Sequence, residues 1–144
     1  MKKNLIFLIS AVLTVFLTAC KTPAGNNSMQ VNDIWARPSL AEGNGAAYFI
    51  IENLTNEEDT LISASSDIAQ AVEIHKSMMD GEIMRMMPQH EVSVPIGRTE
   101  FKPGGLHVML IGLHDDLNIG DSFNITLKFQ LAGEETFVVT VRKP

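Results

Sequence analysis

The sequence predicts an all-β domain, an antiparallel Greek-key sandwich or barrel, on the basis of three observations. Short runs of β-forming residues alternate with turn signals from Val31 to the C-terminus. No window in this region has the periodicity of an amphipathic helix. Seven or more strands in about 110 residues are typical of such a domain, and a core of that size can fold without disulfides. The predicted strands include residues 46–52, 71–75, 82–87, 91–96, 106–111, 122–131 and 136–142.

The first 19 residues are predicted to be a signal peptide. Lys2 and Lys3 precede an apolar stretch over residues 5–17, which is too short to span a bilayer comfortably. The tetrapeptide Leu-Thr-Ala-Cys at 17–20 resembles the bacterial lipobox, in which the cysteine is acylated and becomes the new N-terminus. We therefore predict cleavage before Cys20, lipidation of Cys20, and a periplasmic protein anchored to a membrane through its acyl chains.

The mature chain is predicted to be acidic and to contain one domain. Residues 20–30 form the lipidated cysteine and a flexible, polar tether, and residues 31–144 form the β-domain. Loss of the signal peptide removes two lysines and moves the formal charge from −6 to −8. Such a protein has no electrostatic basis for binding nucleic acid, and a cation is the more natural ligand.

The clearest strand signal lies in residues 122–131. Five apolar residues at the odd-numbered positions from Phe123 to Leu131 alternate with polar ones, so one face of this strand is expected to be buried. Ala132-Gly133 then predicts a turn into the last strand, which gives a C-terminal hairpin.

Methionine and histidine are concentrated in one part of the sequence. Six of the eight methionines lie between Met78 and Met109, and three of the four histidines (His75, His90 and His107) lie in or beside that window. An isolated Met or His is normally structural, so it is the clustering that indicates a metal site. Thioethers are soft donors that favour copper(I). A blue-copper centre is excluded because it needs a cysteine ligand, and the only cysteine lies in the lipobox.

A β-hairpin is predicted around Asp80-Gly81, a favoured pair for a two-residue type I′ turn. With this turn, His75 lies directly opposite Met86, and their Cβ atoms are roughly 4.5–5.5 Å apart. A four-residue loop over 78–81 would place Met84 opposite His75 instead. The sequence therefore leaves open whether Met84 replaces or supplements Met86.

A second pair of candidate ligands lies in residues 106–110. Period-two alternation places His107 and Met109 on one face of this strand and the apolar residues on the other. We expect the apolar residues to face the core, and His107 and Met109 to point outward or toward a rim. Combined with His75 and Met86, they form a candidate His₂Met₂ site for copper(I).

This pattern resembles that of the periplasmic copper chaperones of the PCuAC family. The family's mark is a His, ten residues, a Met, about twenty residues and a His-x-Met, and here ten residues separate His75 from Met86 and twenty separate Met86 from His107. The resemblance covers roughly residues 31–142. It implies a cupredoxin-like Greek-key fold and transfer of copper(I) to a respiratory oxidase or another extracytoplasmic acceptor. The other similar stretches are residues 34–37, 45–48, 64–66 and 101–113.

Some relatives carry a Met- and His-rich C-terminal tail that adds a second copper site. This sequence ends at Arg142-Lys143-Pro144, so we expect one site.

The leading expectation is a carrier and not an enzyme. It would exchange copper(I), ligand by ligand, with a copper-donating or copper-accepting periplasmic or membrane protein. The alternative is a periplasmic copper storage or tolerance protein with no dedicated acceptor. A hydrolase or oxidase using Glu73 and His75 is less favoured because no nucleophile, base and acid are suitably spaced. In a purely structural domain, the methionines would be core filler.

Overall fold

The computed structural model describes residues 28–144, and the regular elements in this part of the chain are all β-strands. The predicted signal peptide, Cys20 and the tether up to residue 27 lie outside the described residues. Between residues 28 and 144 there is no helix of the length and apolar character needed to cross a bilayer. The strands are β1 (Met29–Ala36), β2 (Gly45–Asn53), β3 (Asp59–Ser65), β4 (Ala69–Asp80), β5 (Ile83–Pro88), β6 (Val92–Val94), β7 (Gly97–Phe101), β8 (Leu106–Leu113), β9 (Ser122–Phe129) and β10 (Glu134–Val141).

These strands form one sheet in the order β5-β4-β8-β7-β2-β1-β10-β9-β3-β6, with an additional pairing between β8 and β2. Most neighbours are antiparallel, but β1 pairs with β10 and β7 pairs with β8 in parallel. β4 also packs against β3, which lies near the other end of the order, so the sheet curls around a single core. The predicted all-β fold is confirmed, and the two parallel pairings were not anticipated. One of them joins the first and last strands of the domain.

The C-terminal hairpin forms as predicted, with one difference at its turn. The apolar residues of β9 are buried up to Phe129, and β10 returns antiparallel to β9 after Gly133, whose φ is 86°. Leu131 was expected to continue the buried row but is 57% exposed. The strand ends before it, and its backbone N–H donates to the carboxylate of Asp59 instead of extending the β-ladder.

Asn53 is a fully buried amide that ties three segments together. Its side-chain N–H groups donate to the carbonyl oxygens of Glu57 and Val94, at 2.9 and 3.0 Å. Its side-chain oxygen accepts from the backbone and hydroxyl of Thr55. Every part of this amide is thus satisfied, as burial of a polar group requires.

Asp59 is a buried carboxylate held by backbone groups. It accepts N–H bonds from Thr60, Leu131 and Ala132, at 2.6, 2.9 and 2.9 Å. Burial raises the pKa of Asp59, but the backbone hydrogen bonds outweigh burial and the pKa lies below its usual value. The charged carboxylate therefore stabilises the turn between β9 and β10.

One face of β4 and β8 packs against the core, so a functional site on these strands must lie on the other face. Ile74 of β4 and Val108 and Leu110 of β8 belong to the core and are at most 4% exposed. Because side chains alternate along a strand, the residues between them lie on the opposite face. The predicted histidine and methionine ligands occupy that opposite face.

Candidate metal centre

The two predicted histidine ligands lie opposite each other on adjacent strands. β4 and β8 pair antiparallel, with His75 facing His107 and Glu73 facing Met109. The centroids of the two imidazole rings are 5.9 Å apart, and the ring planes are tilted by 54°. Two imidazoles at this separation can approach one ion. Met109 follows His107 on the same face of β8.

The predicted register of the β4–β5 hairpin is wrong in both of its versions. The turn residues are Gly81 and Glu82, and Asp80 pairs with Ile83. Gly81 has a φ of 65° whereas Glu82 does not have a positive φ, which fits a type II′ turn with glycine first. Asp-Gly at the centre of a type I′ turn and Gly at the start of a type II′ turn are both favoured, so local sequence did not decide between them.

The corrected register moves Met86 but leaves it on the same face. His75 now pairs with Pro88, and Met86 pairs with Ser77, the next residue of β4 on that face. Because side chains repeat every two residues, a shift of two keeps each residue on its face. Met86 is therefore diagonal to His75, not directly opposite it. Met84 pairs with Met79, further toward the turn.

A surface cavity of about 320 Å³ lies over this face. One side of it is formed by thioether and imidazole groups from β5 and β8, and the other by the connection between β1 and β2. His75 does not line the cavity and lies buried beside His107. The residues that line it are Arg37, Pro38, Ser39, Asn44, Gly45, Ala46, Tyr48, Ser77, Met84, Met86, Gly104, His107 and Met109.

The candidate donors differ in their exposure to solvent. His107 and His75 are 4% and 9% exposed, and Met109 is half-buried, whereas Met86 is 54% exposed. His107 thus lies on the predicted non-core face but is covered, in part by Tyr48, whose ring centroid is 6.4 Å from its own. The nitrogens form the inner part of the centre and the sulfur of Met86 the outer part.

The hydrogen bonding of His107 leaves one of its nitrogens with a lone pair. Nδ1 lies 3.0 Å from the carbonyl oxygen of Gly105. A carbonyl only accepts, so Nδ1 carries the proton and the neutral ring has its lone pair on Nε2. Burial is the main cause that lowers the pKa of His107, and the nearby His75 and Arg37 lower it further. The ring therefore favours the neutral form that a metal ligand needs.

His75 has a carboxylate partner on one nitrogen and none on the other. Its Nε2 donates to Oε2 of Glu73 at 2.7 Å. Its Nδ1 is buried and has no hydrogen-bond partner among residues 28–144. Histidines that bind metals commonly donate their other ring N–H to a carboxylate, which fixes the tautomer and makes the ligand more basic. The orphaned Nδ1 fits a metal ligand.

Arg37 and Tyr48 form a charged edge of the cavity. Arg37 donates from Nε and from an Nη to the phenolic oxygen of Tyr48, at 2.9 and 2.6 Å. The guanidinium also lies over the Tyr48 ring, 5.4 Å from its centroid. This pair holds a positive charge beside His107, a feature that sequence analysis missed because β1 and β2 are distant from the ligand strands in sequence.

Glu73 hydrogen-bonds His75, a role that the sequence predictions do not include. The spacing Glu73-x-His75 on one strand face was the available signal, because residues two apart share a face. Within residues 28–144 no three or more His, Cys, Asp or Glu side chains are grouped to hold a metal.

The remaining histidines lie away from the centre. His90 is exposed, next to the end of β5. His114 is also exposed, and its Nδ1 donates to the carbonyl oxygen of Asp67 at 3.1 Å.

The chain resembles families and proteins already known. The family model described as "Putative lipoprotein LpqE-like" matches residues 29–141. The chain is 37% identical to the uncharacterized protein RP573 of Rickettsia prowazekii over 101 residues, which are 66% of this chain and 56% of that protein. The chain thus spans little more than half of that relative's length. It is 25% identical to "Putative lipoprotein Lxx21020" of Leifsonia xyli over 143 residues, covering 92% of this chain and 86% of that protein.

Similar solved structures confirm the resemblance to PCuAC domains. The copper-bound PCuAC domain from PmoF2 matches with a TM-score of 0.69 and 25% identity, covering 81% of this chain and 94% of that domain. Copper(I)-bound DR1885 from Deinococcus radiodurans matches with a TM-score of 0.60 and 28% identity, covering 83% of each chain.

Proposed function

This chain belongs to the LpqE-like family, and we propose that it is an extracytoplasmic copper(I) carrier that holds one ion with His75, Met86, His107 and Met109. The observation that carries the proposal is the facing pair of imidazoles, 5.9 Å apart, on the strand face that also bears the two methionines. The similar PCuAC domain from PmoF2 and DR1885 are copper-bound proteins, which supports copper as the cargo.

The donor set suits copper(I) better than other biological metals. Two imidazoles and two thioethers are neutral, and the thioethers are soft, whereas magnesium and calcium require oxygen ligands and structural zinc is usually held by thiolates with imidazoles. His75 offers Nδ1 and His107 offers Nε2 once their other nitrogens donate to Glu73 and Gly105. Methionine also avoids the oxidation to disulfides that threatens thiolate ligands outside the cytoplasm.

The difference in exposure suggests the order in which ligands leave during transfer. Met86 is the most exposed donor and lies on β5, the edge strand of the sheet. An acceptor's ligand can replace its neutral thioether without moving a proton, and Met109 would follow. The buried imidazoles would release the ion last. Copper(I) would then pass directly between proteins and never be free in solution.

We further propose a lipoprotein anchored in a membrane through acylated Cys20 that delivers copper(I) to a respiratory oxidase copper site or a similar acceptor. The relative from Leifsonia xyli carries the name of a lipoprotein, which supports an extracytoplasmic location. Deletion of the gene separates delivery from storage. Loss of oxidase activity at low copper supports delivery, whereas copper sensitivity with normal oxidase activity would favour storage.

A copper(I) titration against a competing chelator tests the proposed ligands. We expect one tightly bound equivalent in the unchanged protein and none in the double variant His107→Ala with Met109→Ala. The matched control is His90→Ala with Met87→Ala, which removes an exposed histidine and a methionine from outside the centre and should leave binding intact. Circular dichroism would check that each variant is folded. Tight binding by the folded first variant would refute the ligand assignment.

A further inference from the structure

We propose that the tip of the β4–β5 hairpin carries a second, weaker copper(I) site, formed by the thioethers of Met79 and Met84. This inference rests on the proposed function, since it assigns a role in copper transfer to residues outside the four proposed ligands. The resident ion would occupy the inner centre, and the outer site would receive an ion on its way in or out.

The hairpin register places the two sulfur-bearing side chains side by side. Met79 and Met84 are directly opposite each other in the β4–β5 ladder. The backbone N–H of Ser77 donates to the carbonyl oxygen of Gly105, away from β5, so Ser77 and Met86 form a non-hydrogen-bonded pair. Pair types alternate along an antiparallel ladder, so Met79 and Met84 form one too. Side chains approach most closely in such pairs, and two flexible thioethers there can hold one ion.

The outer pair lies on the same face as the inner centre. Met84 and Met86 are two residues apart on β5, a step of about 7 Å along the strand, and both line the cavity that His107 also lines. The sulfurs thus form a series from Met79 and Met84, through Met86, to the inner donors. An ion could move along it by exchanging one thioether at a time.

The solvent exposure of the outer pair suits a site for entry and exit. Met79 is 61% exposed and Met84 is 56% exposed. Large apolar side chains exposed at an edge strand such as β5 favour aggregation, so their exposure here calls for a functional reason. Two carboxylates lie between Met79 and Met84 in sequence, that of Asp80 at the end of β4 and that of Glu82 in the turn. Arg85 forms an ion pair with Asp80 at 2.8 Å, and Glu82 adds a negative charge at the turn itself, which favours the approach of a cation.

The opposite face of the hairpin supplies a natural contrast. Met78 and Met87 are 47% and 49% exposed, close to the exposure of the outer pair. Met78, however, pairs with Arg85, and Met87 pairs with Lys76. These methionines do not face each other, and neither of them lines the cavity over the proposed centre. They provide a control with the same residue type, strands and solvent exposure.

The test is a copper(I) titration of the protein labelled with ¹³C at its methionine methyl groups. The first equivalent should shift the methyl signals of Met86 and Met109, and a second, weaker equivalent should shift those of Met79 and Met84. The variant Met79→Leu with Met84→Leu should lose the second equivalent and keep the first with unchanged affinity. Leucine preserves size and apolarity, so a role in packing or protein docking would survive this substitution.

The control variant Met78→Leu with Met87→Leu should bind both equivalents as the unchanged protein does. The proposal is overturned if the unchanged protein binds one equivalent only, or if Met79→Leu with Met84→Leu still binds two. It is also overturned if both hairpin variants lose the second equivalent equally. In each of these outcomes the unchanged protein still binds its first equivalent of copper(I). Failure of the proposed function would instead appear as the absence of that first equivalent from the unchanged protein.

Discussion

Removal of the Glu73 carboxylate should weaken copper(I) binding about tenfold, although Glu73 is not a proposed ligand. Its hydrogen bond to Nε2 of His75 is 2.7 Å long, and the His75 side chain is 11% exposed while that of Glu73 is 48% exposed. A hydrogen bond to a charged group contributes about 1.5–3 kcal/mol. Because solvent screens the half-exposed carboxylate, we expect a contribution at the lower end of this range. A loss of about 1.4 kcal/mol in binding free energy corresponds to a factor of ten in affinity.

The assay is a chelator competition with Glu73→Ala, with Glu91→Ala as the control. Glu91 is exposed and lies outside the cavity, so its removal changes the net charge equally without touching His75. The ¹⁵N spectrum of the loaded, unchanged protein should show copper(I) on Nδ1 of His75, with Nε2 still protonated. Equal affinities of the two variants, or copper(I) on Nε2, would refute the orienting role of Glu73.

Further predictions concern the ligands and the stability of the domain. Burial lowers the pKa of His107, so its ring in the copper-free protein should titrate below about 6.5 by NMR. The stability of the domain should therefore fall as the pH drops from that value through the folded pKa. An NMR titration midpoint of His107 above this value would contradict the prediction. Met86→Leu should weaken copper(I) binding more than Met87→Leu, in the same competition assay. Asn53→Ala should lower the free energy of unfolding by about 2–3 kcal/mol in urea, since its backbone partners lose their buried hydrogen bonds. Asp59→Asn should destabilise the domain by about 1–3 kcal/mol at neutral pH. The difference in stability between the variant and the unchanged protein should shrink as the pH falls below about 3.9 and through the lower folded pKa of Asp59. A difference that stays constant with pH would argue against a stabilising role of the charged carboxylate.

Local sequence patterns predicted the all-β class and the C-terminal hairpin, where alternation is clear, but β1, β3 and β7 lie outside the runs that they identified. The row from Phe123 to Phe129 is buried as expected, and the turn before β10 lies where Ala132-Gly133 indicates. The parallel pairing of β1 with β10 could not be predicted, because it joins the two ends of the domain and has no local signal. The exposure of Leu131 was missed for the same reason, since it depends on a hydrogen bond to Asp59, 72 residues away in sequence.

Sequence alternation predicted which strand faces carry the candidate ligands, but not how these residues lie relative to one another. Alternation placed His107 and Met109 on one face, and the structure places His75 directly opposite His107 on the neighbouring strand. The position of Met86 relative to His75 was wrong, because two turn types compete at Gly81 and differ in register by two residues. Glu73 has a local signal, whereas Arg37 reaches the cavity only through long-range strand pairing.

X-ray absorption at the copper K-edge, on protein loaded with one equivalent of copper(I), tests the four proposed ligands directly. We expect a shell of two nitrogen and two sulfur scatterers, with the nitrogens contributed by imidazole rings. Loss of sulfur scattering in Met86→Leu with Met109→Leu would complete the assignment. A shell of nitrogen and oxygen alone in the unchanged protein would contradict it.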